Sequence, residues 1–143
     1  MSNNALHKTH KADFRVYYED TDAVGIMYHA NYICFCERGR SDMLRDMGLP
    51  ASEIFEKVGI GFVIRHIDCE YLKMVKLDDL LTVETAVLAM KNTSFIMRQT
   101  IYCQNSPVFK MDVTVVCVDK AGKPARAPQD LRNKFSDYLI KED

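Results

Sequence analysis

A short acidic cluster, Glu19-Asp20-Thr21-Asp22, is the first place in the sequence where residue types and spacing could do chemistry. It follows a β-prone run and ends about nine residues before a helical pattern begins. A carboxylate in such a loop can simply form a solvated Asx turn. It can also face the helix N-terminus, where free N–H groups and the helix dipole stabilise developing negative charge. In that position one of these carboxylates suits the hydrolysis of an activated acyl group, as a general base on water or as a nucleophile.

His29 lies between this cluster and the helical pattern, beside Tyr28 and Asn31. A single histidine at a helix start is commonly structural, yet its backbone N–H can bind an oxyanion whatever the side chain does. His7 and His10 form an HxxH pair without a further ligand, which is weak support for a metal site. We therefore predict no metal ion and no cofactor.

The composition restricts the class of protein. The 143 residues suffice for one ordinary domain, and with 48% hydrophobic and 27% charged residues the chain can bury a core. A net charge of −1 lacks the basic excess of a general nucleic-acid binder. Five cysteines without a CxxC pair fit neither a disulfide framework nor a zinc ribbon, and no stretch is apolar enough to span a membrane. We predict a cytoplasmic protein with no nucleic-acid partner and no integral membrane segment.

Alternating apolar residues predict the strands that position these groups. A short run at residues 14–18 predicts a first strand, and four later segments predict an antiparallel meander. In the first of those four segments, Arg65 falls on the same face as Ile67. We expect a flexible tail over residues 1–12 and a single domain over residues 13–140.

A spacing of three and four residues predicts one amphipathic helix of about 16–18 residues. Asn31 is its expected N-cap, and Gly48 is the glycine expected just after its C-terminus. Gly39, near the middle, costs about 1 kcal/mol relative to alanine, so we expect the backbone to approach the sheet closely there. Shorter helices are predicted over residues 51–58 and 127–139. The order of elements predicts an α+β fold in which the long helix lies across an antiparallel sheet.

Residues 17–32 read YYEDTDAVGIMYHANY, and Glu37-Arg38 follows on the predicted helix. This run closely resembles the YbgC branch of the 4-hydroxybenzoyl-CoA thioesterase family, and the strand spacing extends the resemblance over nearly the whole chain. The resemblance implies the hotdog fold, in which a five-stranded antiparallel sheet wraps a long central helix. It also implies a homodimer with a continuous sheet, and often a homotetramer.

The resemblance further implies an acyl-CoA thioesterase, which hydrolyses acyl-CoA to a free acid and CoA, so that coenzyme A is part of the substrate. Asp22 matches the catalytic carboxylate of the family. His29 matches the position whose backbone N–H polarises the thioester carbonyl, with a further contribution from its side chain. Gly25, Tyr28 and Asn31 belong to the same motif, in which Gly25 would allow a close backbone approach and Asn31 would hold the loop.

Coenzyme A carries several phosphates, so a nearly neutral chain needs local cations to bind it. The candidate residues are Lys91 with Thr93 and Ser94, and Lys120, Lys123 and Arg126 near the last strand. The alternative interpretation of this group is an ordinary solvated turn.

Two other functions stay open for the same groove. One is a non-catalytic module that binds acyl-CoA or acyl carrier protein in lipid or envelope metabolism. The other is a hotdog dehydratase, which needs a different pairing of histidine and carboxylate. Acyl carrier protein is likewise an alternative to coenzyme A as the carrier of the acyl group.

Overall fold

The computed structural model describes residues 8–140. Its five strands are β1 (His10–Arg15), β2 (Gly61–Tyr71), β3 (Leu80–Met90), β4 (Ser94–Cys103) and β5 (Ser106–Val118). They form one antiparallel sheet in the order β1-β3-β4-β5-β2. The predicted meander is correct for β3 to β5 and wrong for β2, which pairs with β5 at an edge of the sheet. The reason is that residues 72–79 do not turn back tightly: Val75 accepts a hydrogen bond from the Met27 N–H at 2.8 Å, which holds this segment near the long helix.

Three α-helices accompany the sheet in this part of the chain: α1 (His29–Asp46), α2 (Ala51–Val58) and α3 (Gln129–Ser136). α1 packs across β1 and β3 because its buried residues recur at intervals of three and four along one face. These buried residues are Tyr32, Phe35, Cys36, Gly39, Met43 and Leu44. None of the helices within residues 8–140 has both the length and the apolar character needed to cross a membrane.

The predicted helix ends need two corrections. α1 begins at His29, so Tyr28 and not Asn31 is its N-cap. The Asn31 side chain instead donates a hydrogen bond to Asp20, as described below. α3 covers Gln129–Ser136 and is shorter than the predicted helix over residues 127–139. It begins only after Pro128, whose backbone is extended with a ψ of 143°. After α3 the chain joins the sheet, where the Ile140 N–H donates to Val87 O at 2.8 Å. At the other end of α1, Gly48 has a φ of +78°, as expected for the residue that follows the helix.

Gly39 confirms the expected close approach between α1 and the sheet. A Cβ atom at this position would lie 2.6 Å from Cγ1 of Val83 on β3. Such a separation is far below van der Waals contact, so a larger residue would push the helix away from the strand.

The flexible tail predicted over residues 1–12 is wrong at its end, because β1 begins at His10 and pairs with β3 from His10 opposite Thr85. His10 is buried, and its Nε2 lies 2.6 Å from Asp46 Oδ2 at the end of α1. Sequence reasoning placed the first strand at residues 14–18 and missed its start, because residues 10–13 are mostly polar, as an edge strand allows. The predicted end is also wrong, since β1 ends at Arg15. Residues 1–7, including His7, lie outside the described residues.

β2 contains a β-bulge that the sequence pattern did not predict. Ile64 pairs with Val115 and His66 pairs with the preceding residue of β5, Thr114, so Arg65 is an extra residue. The extra residue interrupts the alternation of side chains between the two faces of the sheet. The prediction that Arg65 shares the face of Ile67 is therefore wrong. Both Arg65 and His66 are exposed, whereas Ile67 packs against the core.

Candidate active site

Asp20 organises the loop that leads into α1. Its side chain is 2% exposed, and its two carboxylate oxygens accept hydrogen bonds from the Tyr17 N–H and from Nδ2 of Asn31, both at 2.9 Å. Its carbonyl accepts a hydrogen bond from the Tyr28 N–H at 2.8 Å. Sequence reasoning singled out Asp22 and missed this neighbour, although both belong to the same acidic cluster. The hydrogen bond from Asn31 connects the loop to the first turn of α1.

Asp22 is exposed, in contrast to Asp20. Its Oδ1 accepts a hydrogen bond from the Val24 N–H at 2.9 Å, which is the predicted Asx turn. Its Oδ2 has no partner among the described residues, so one carboxylate oxygen is available to water or substrate. Gly25 completes the turn with a φ of +92°, a left-handed conformation that favours glycine.

His29 is the first residue of α1, and its ring packs against the ring of Tyr28 with 4.4 Å between centroids. Tyr28 provides no side-chain cap for the helix. Within residues 8–140, no atom accepts a hydrogen bond from the His29 N–H. This donor and the positive end of the helix dipole are therefore free to bind a developing negative charge.

Tyr71, at the end of β2, is a second residue that sequence reasoning did not place at the site. Its hydroxyl donates a hydrogen bond to the carbonyl oxygen of His29 at 2.7 Å. Its ring packs edge-on against Tyr32 and Phe109, with centroid distances of 5.2 and 4.9 Å. Burial raises the pKa of Tyr71 above its ordinary value, so the phenol remains a protonated donor at neutral pH. β2 thereby fixes the first turn of α1 to the sheet.

An open groove of about 350 Å³ lies beside His29. It is bounded by the loop before α1, by α1 itself and by the chain that follows β2. Its lining is mainly apolar and consists of Ile26, Met27, Tyr32, Tyr71, Leu72, Lys73 and Met74 with His29. A groove of this size and character can accept an apolar group next to the helix start.

The buried cysteines provide no nucleophile. Burial raises the pKa of Cys36 to about 12 and that of Cys117 to about 11, so both remain thiols at neutral pH. Within the described part of the chain, no three His, Cys, Asp or Glu side chains are grouped to hold a metal ion.

The residues predicted to bind coenzyme A lie together at a different place. The Lys91 N–H donates to Ser94 O at 2.8 Å in the turn before β4, and Thr93 O accepts from the Cys117 N–H at 2.8 Å. Arg126 joins this turn through its Nη1, which donates to Oδ1 of Asn92 at 2.6 Å.

This turn lies near the opposite end of β5 from the helix start. Ser94 pairs with Val116 on β5, whereas Tyr71 pairs with Phe109. The two partners are seven residues apart in β5, or about 23 Å at the usual rise of a strand. One chain therefore gathers the predicted site residues into two separate groups.

A five-stranded antiparallel sheet around a long helix, with an acidic loop leading into the free start of that helix, defines the class of hotdog-fold thioesterases. The chain belongs to the Thioesterase-like superfamily, whose family model matches residues 16–135. The predicted α+β hotdog fold and the predicted class of thioester hydrolase are confirmed.

Individual relatives confirm the resemblance to the YbgC branch. The Acyl-CoA thioester hydrolase YbgC of Escherichia coli O6:H1 is 38% identical over 123 residues, which cover 85% of this chain and 91% of the relative. The Acyl-CoA thioesterase YbgC of Haemophilus influenzae is 38% identical over 122 residues, covering 85% and 90%. The crystal structure of a probable thioesterase from Bartonella henselae superimposes with a TM-score of 0.82 at 35% identity, covering 85% of this chain and 100% of that one.

Proposed function

We propose that this protein is an acyl-CoA thioesterase that hydrolyses acyl-CoA to a free acid and CoA. Relatives that are 38% identical over most of the chain bear the names acyl-CoA thioester hydrolase and acyl-CoA thioesterase. The observation that carries the proposal is the combination of an exposed Asp22 carboxylate with a free His29 N–H, joined by a loop that Asp20 ties to α1.

In this proposal the thioester carbonyl oxygen accepts a hydrogen bond from the His29 N–H. Attack on the carbonyl carbon places negative charge on that oxygen, which the N–H and the helix dipole stabilise. A preorganised donor of this kind contributes about 3–4 kcal/mol in the transition state. The His29 side chain is exposed beside the same groove, so it can contact the substrate as well.

Asp22 has two possible roles in the attack. As a general base it takes a proton from water while the water oxygen bonds to the carbonyl carbon. As a nucleophile its own oxygen forms an acyl anhydride, which water then hydrolyses. In both cases the tetrahedral intermediate collapses by breaking the C–S bond, and CoA leaves as a thiolate that takes up a proton.

We assign substrate binding to the two groups of residues described above. The groove beside His29 receives the acyl group, with the Tyr28 ring packed against that of His29 and Gly25 allowing the loop to approach the thioester. Lys91, Thr93, Ser94 and Arg126 contact the nucleotide part of coenzyme A. No further cofactor takes part in the proposed reaction.

A homodimer would bring these two groups together. β2 is a long edge strand with Val63 and Ile64 each 46% exposed, which favours pairing with a second copy. When two copies of one strand pair antiparallel about a twofold axis, the Gly61 end of one lies beside the Tyr71 end of the other. The Lys91 turn of one copy then approaches the helix start of its partner. We propose this homodimer, its association into a homotetramer, and a cytoplasmic location.

The test is an assay of free-thiol release from a panel of acyl-CoA and acyl-carrier-protein substrates, with Asp22→Asn as the matched blank. Because Asp22 is exposed, the variant should keep its melting temperature and lose a factor of roughly 10²–10⁴ in kcat. Asp119→Asn is the control, since Asp119 also accepts backbone hydrogen bonds in an exposed turn.

Three outcomes would contradict the proposal. Full activity in Asp22→Asn would remove the carboxylate from the mechanism. Tight binding of acyl-CoA without turnover by the unmodified protein would favour the non-catalytic binding module. Hydration or dehydration of the acyl chain without thiol release would favour a dehydratase.

A further inference from the structure

The β-bulge in β2 gives the sheet a cationic surface that alternation alone would not produce. Ile67 packs against the core, and His66 before it is exposed on the outer face of the sheet, the side away from α1. Without a bulge, Arg65 would point back towards α1. The extra residue breaks the alternation at this point, so that Arg65 and His66 line the same surface depression.

This depression measures about 330 Å³ and spans three neighbouring strands. His66 on β2 pairs with Thr114 on β5, and Thr114 pairs with Ile96 on β4. Its lining consists of Arg65, His66, Lys91, Ser94, Ile96 and Thr114. The bulge therefore adds Arg65 to His66 on this face, beside the turn that contains Lys91 and Ser94.

The cations of this depression are not neutralised by neighbouring acids. Within residues 8–140, no carboxylate lies within ion-pair distance of Arg65 or Lys91. The acids nearest along the outer face are Asp68 and Asp112, and Asp112 is already held by Arg98 through hydrogen bonds of 2.9 and 3.0 Å. The depression thus offers an unpaired guanidinium, an unpaired ammonium and two hydroxyl groups.

We propose that Arg65, His66 and Lys91 form a binding site for the phosphate groups of the nucleotide part of acyl-CoA. The planar guanidinium of Arg65 can bind two phosphate oxygens at once, and Lys91 adds a compact charge. The Ser94 and Thr114 hydroxyls donate further hydrogen bonds. This inference rests on the proposed thioesterase function and adds two residues to it, Arg65 and His66.

The shape of the site favours a nucleotide over a carrier protein. A concave depression of about 330 Å³ surrounds a small phosphorylated group, whereas an acidic protein surface would need a wider basic area. Lys110, an exposed lysine on β5, lies outside the depression and beside Asp112. Arg65 and Lys91 are the lysine and arginine side chains that line the depression itself.

The experiment compares Arg65→Gln, His66→Gln and Lys91→Gln with Lys110→Gln, a charge removal elsewhere on the same face. Each is assayed with one acyl group on coenzyme A, on N-acetylcysteamine, which has no phosphate, and on acyl carrier protein. For Arg65→Gln and Lys91→Gln, we expect the ratio of KM for the CoA thioester to KM for the N-acetylcysteamine thioester to rise roughly tenfold. His66→Gln should raise it less, and Lys110→Gln should leave it unchanged. The KM of the unmodified protein for acyl-CoA should rise with salt, and more weakly in the variants.

A second measurement does not depend on catalysis. Isothermal titration with adenosine 3′,5′-bisphosphate should show binding to the unmodified protein and roughly tenfold weaker binding to Arg65→Gln. If neither thioester is hydrolysed but this binding is observed, the thioesterase function fails while the phosphate site stands.

Three results would overturn the phosphate site. One is an unchanged KM ratio together with unchanged titration in the Arg65 and Lys91 variants. Another is an equal rise of KM for the CoA and N-acetylcysteamine thioesters, which would show a general structural effect. A rise confined to acyl carrier protein would show a protein-docking surface instead.

Discussion

Nδ2 of Asn31, in the first turn of α1, donates a hydrogen bond of 2.9 Å to Oδ1 of the buried Asp20. The two residues are eleven positions apart in the chain, and the loop between them contains Asp22 and ends at His29. A buried carboxylate is costly unless it is hydrogen-bonded, and here it also accepts a bond from the Tyr17 N–H. The pair therefore fixes the loop relative to the helix start.

Replacing Asn31 should affect both stability and rate. Asn31→Ala removes one of the hydrogen bonds to a buried carboxylate, which should lower the free energy of unfolding by about 1–3 kcal/mol. It should also lower kcat, because the loop that carries Asp22 is no longer held. Urea unfolding and thiol-release kinetics measure the two effects. Asn133→Ala, which removes an exposed hydrogen bond in α3, is the control, and equal behaviour of the two variants would refute the role of Asn31.

Tyr71→Phe tests how β2 fixes the first turn of α1. The variant keeps the ring that packs against Tyr32 and Phe109 and loses only the hydroxyl that donates to His29 O. We expect kcat to fall roughly threefold to tenfold, with little change in KM or melting temperature. Tyr102→Phe removes a hydroxyl elsewhere in the sheet and is the matched control. A change in KM without a change in kcat would contradict this positioning role.

Ionisation of the Tyr71 hydroxyl should not contribute to the pH dependence of the rate. Its pKa is raised above the ordinary value of 10.0, so its phenol becomes charged only at higher pH than a free tyrosine. Any change of rate below about pH 10 must then come from another group, and its midpoint should be the same in Tyr71→Phe. A pH–rate profile of the two proteins gives the comparison, and a midpoint that shifts in the variant would disprove this.

Gly39→Ala should destabilise the fold although alanine is the better helix former. Alanine gains about 1 kcal/mol in helix propensity, but its Cβ would lie 2.6 Å from Val83 Cγ1. Overpacking should exceed that gain and lower the free energy of unfolding by about 1–2 kcal/mol. In a Val83→Ala background the contact with Cγ1 is gone and only the 3.1 Å approach to the Cβ of residue 83 remains, so the same substitution should cost less. Gly48→Ala is the control, since its cost comes from a φ of +78° and Val83→Ala should not relieve it.

Mixed dimers test whether two copies share each site. Asp22→Asn and Arg65→Gln chains with different tags are co-purified as heterodimers. With antiparallel pairing of β2, one site carries both substitutions and the other carries neither, so we expect the unmodified KM and about half the kcat. If both groups of one chain served the same site, the remaining activity would instead have the raised KM of Arg65→Gln.

Much of the fold could be predicted because its signals are local. The three- and four-residue spacing of α1 and the glycine after it predicted the helix to within three residues at its start. Gly39 predicted the close approach to the sheet before any strand partner was known. The polar start of β1 and the sheet position of β2 could not be predicted, because a strand's partner depends on residues far away in the chain.

The features of the site likewise fall into those that the sequence determined and those that only the tertiary structure decided. The sequence alone determined that an acidic loop precedes a long helix, that the fold is α+β, and that the chain resembles a thioesterase family. Only the tertiary structure decided that Asp20 is buried and Asp22 exposed, because burial depends on Asn31 and on the packing of α1. It also decided that Arg65 lines the outer face beside His66, because a bulge exists only relative to the partner strand β5. Residue order encodes periodicity, whereas register and burial are properties of paired and packed elements.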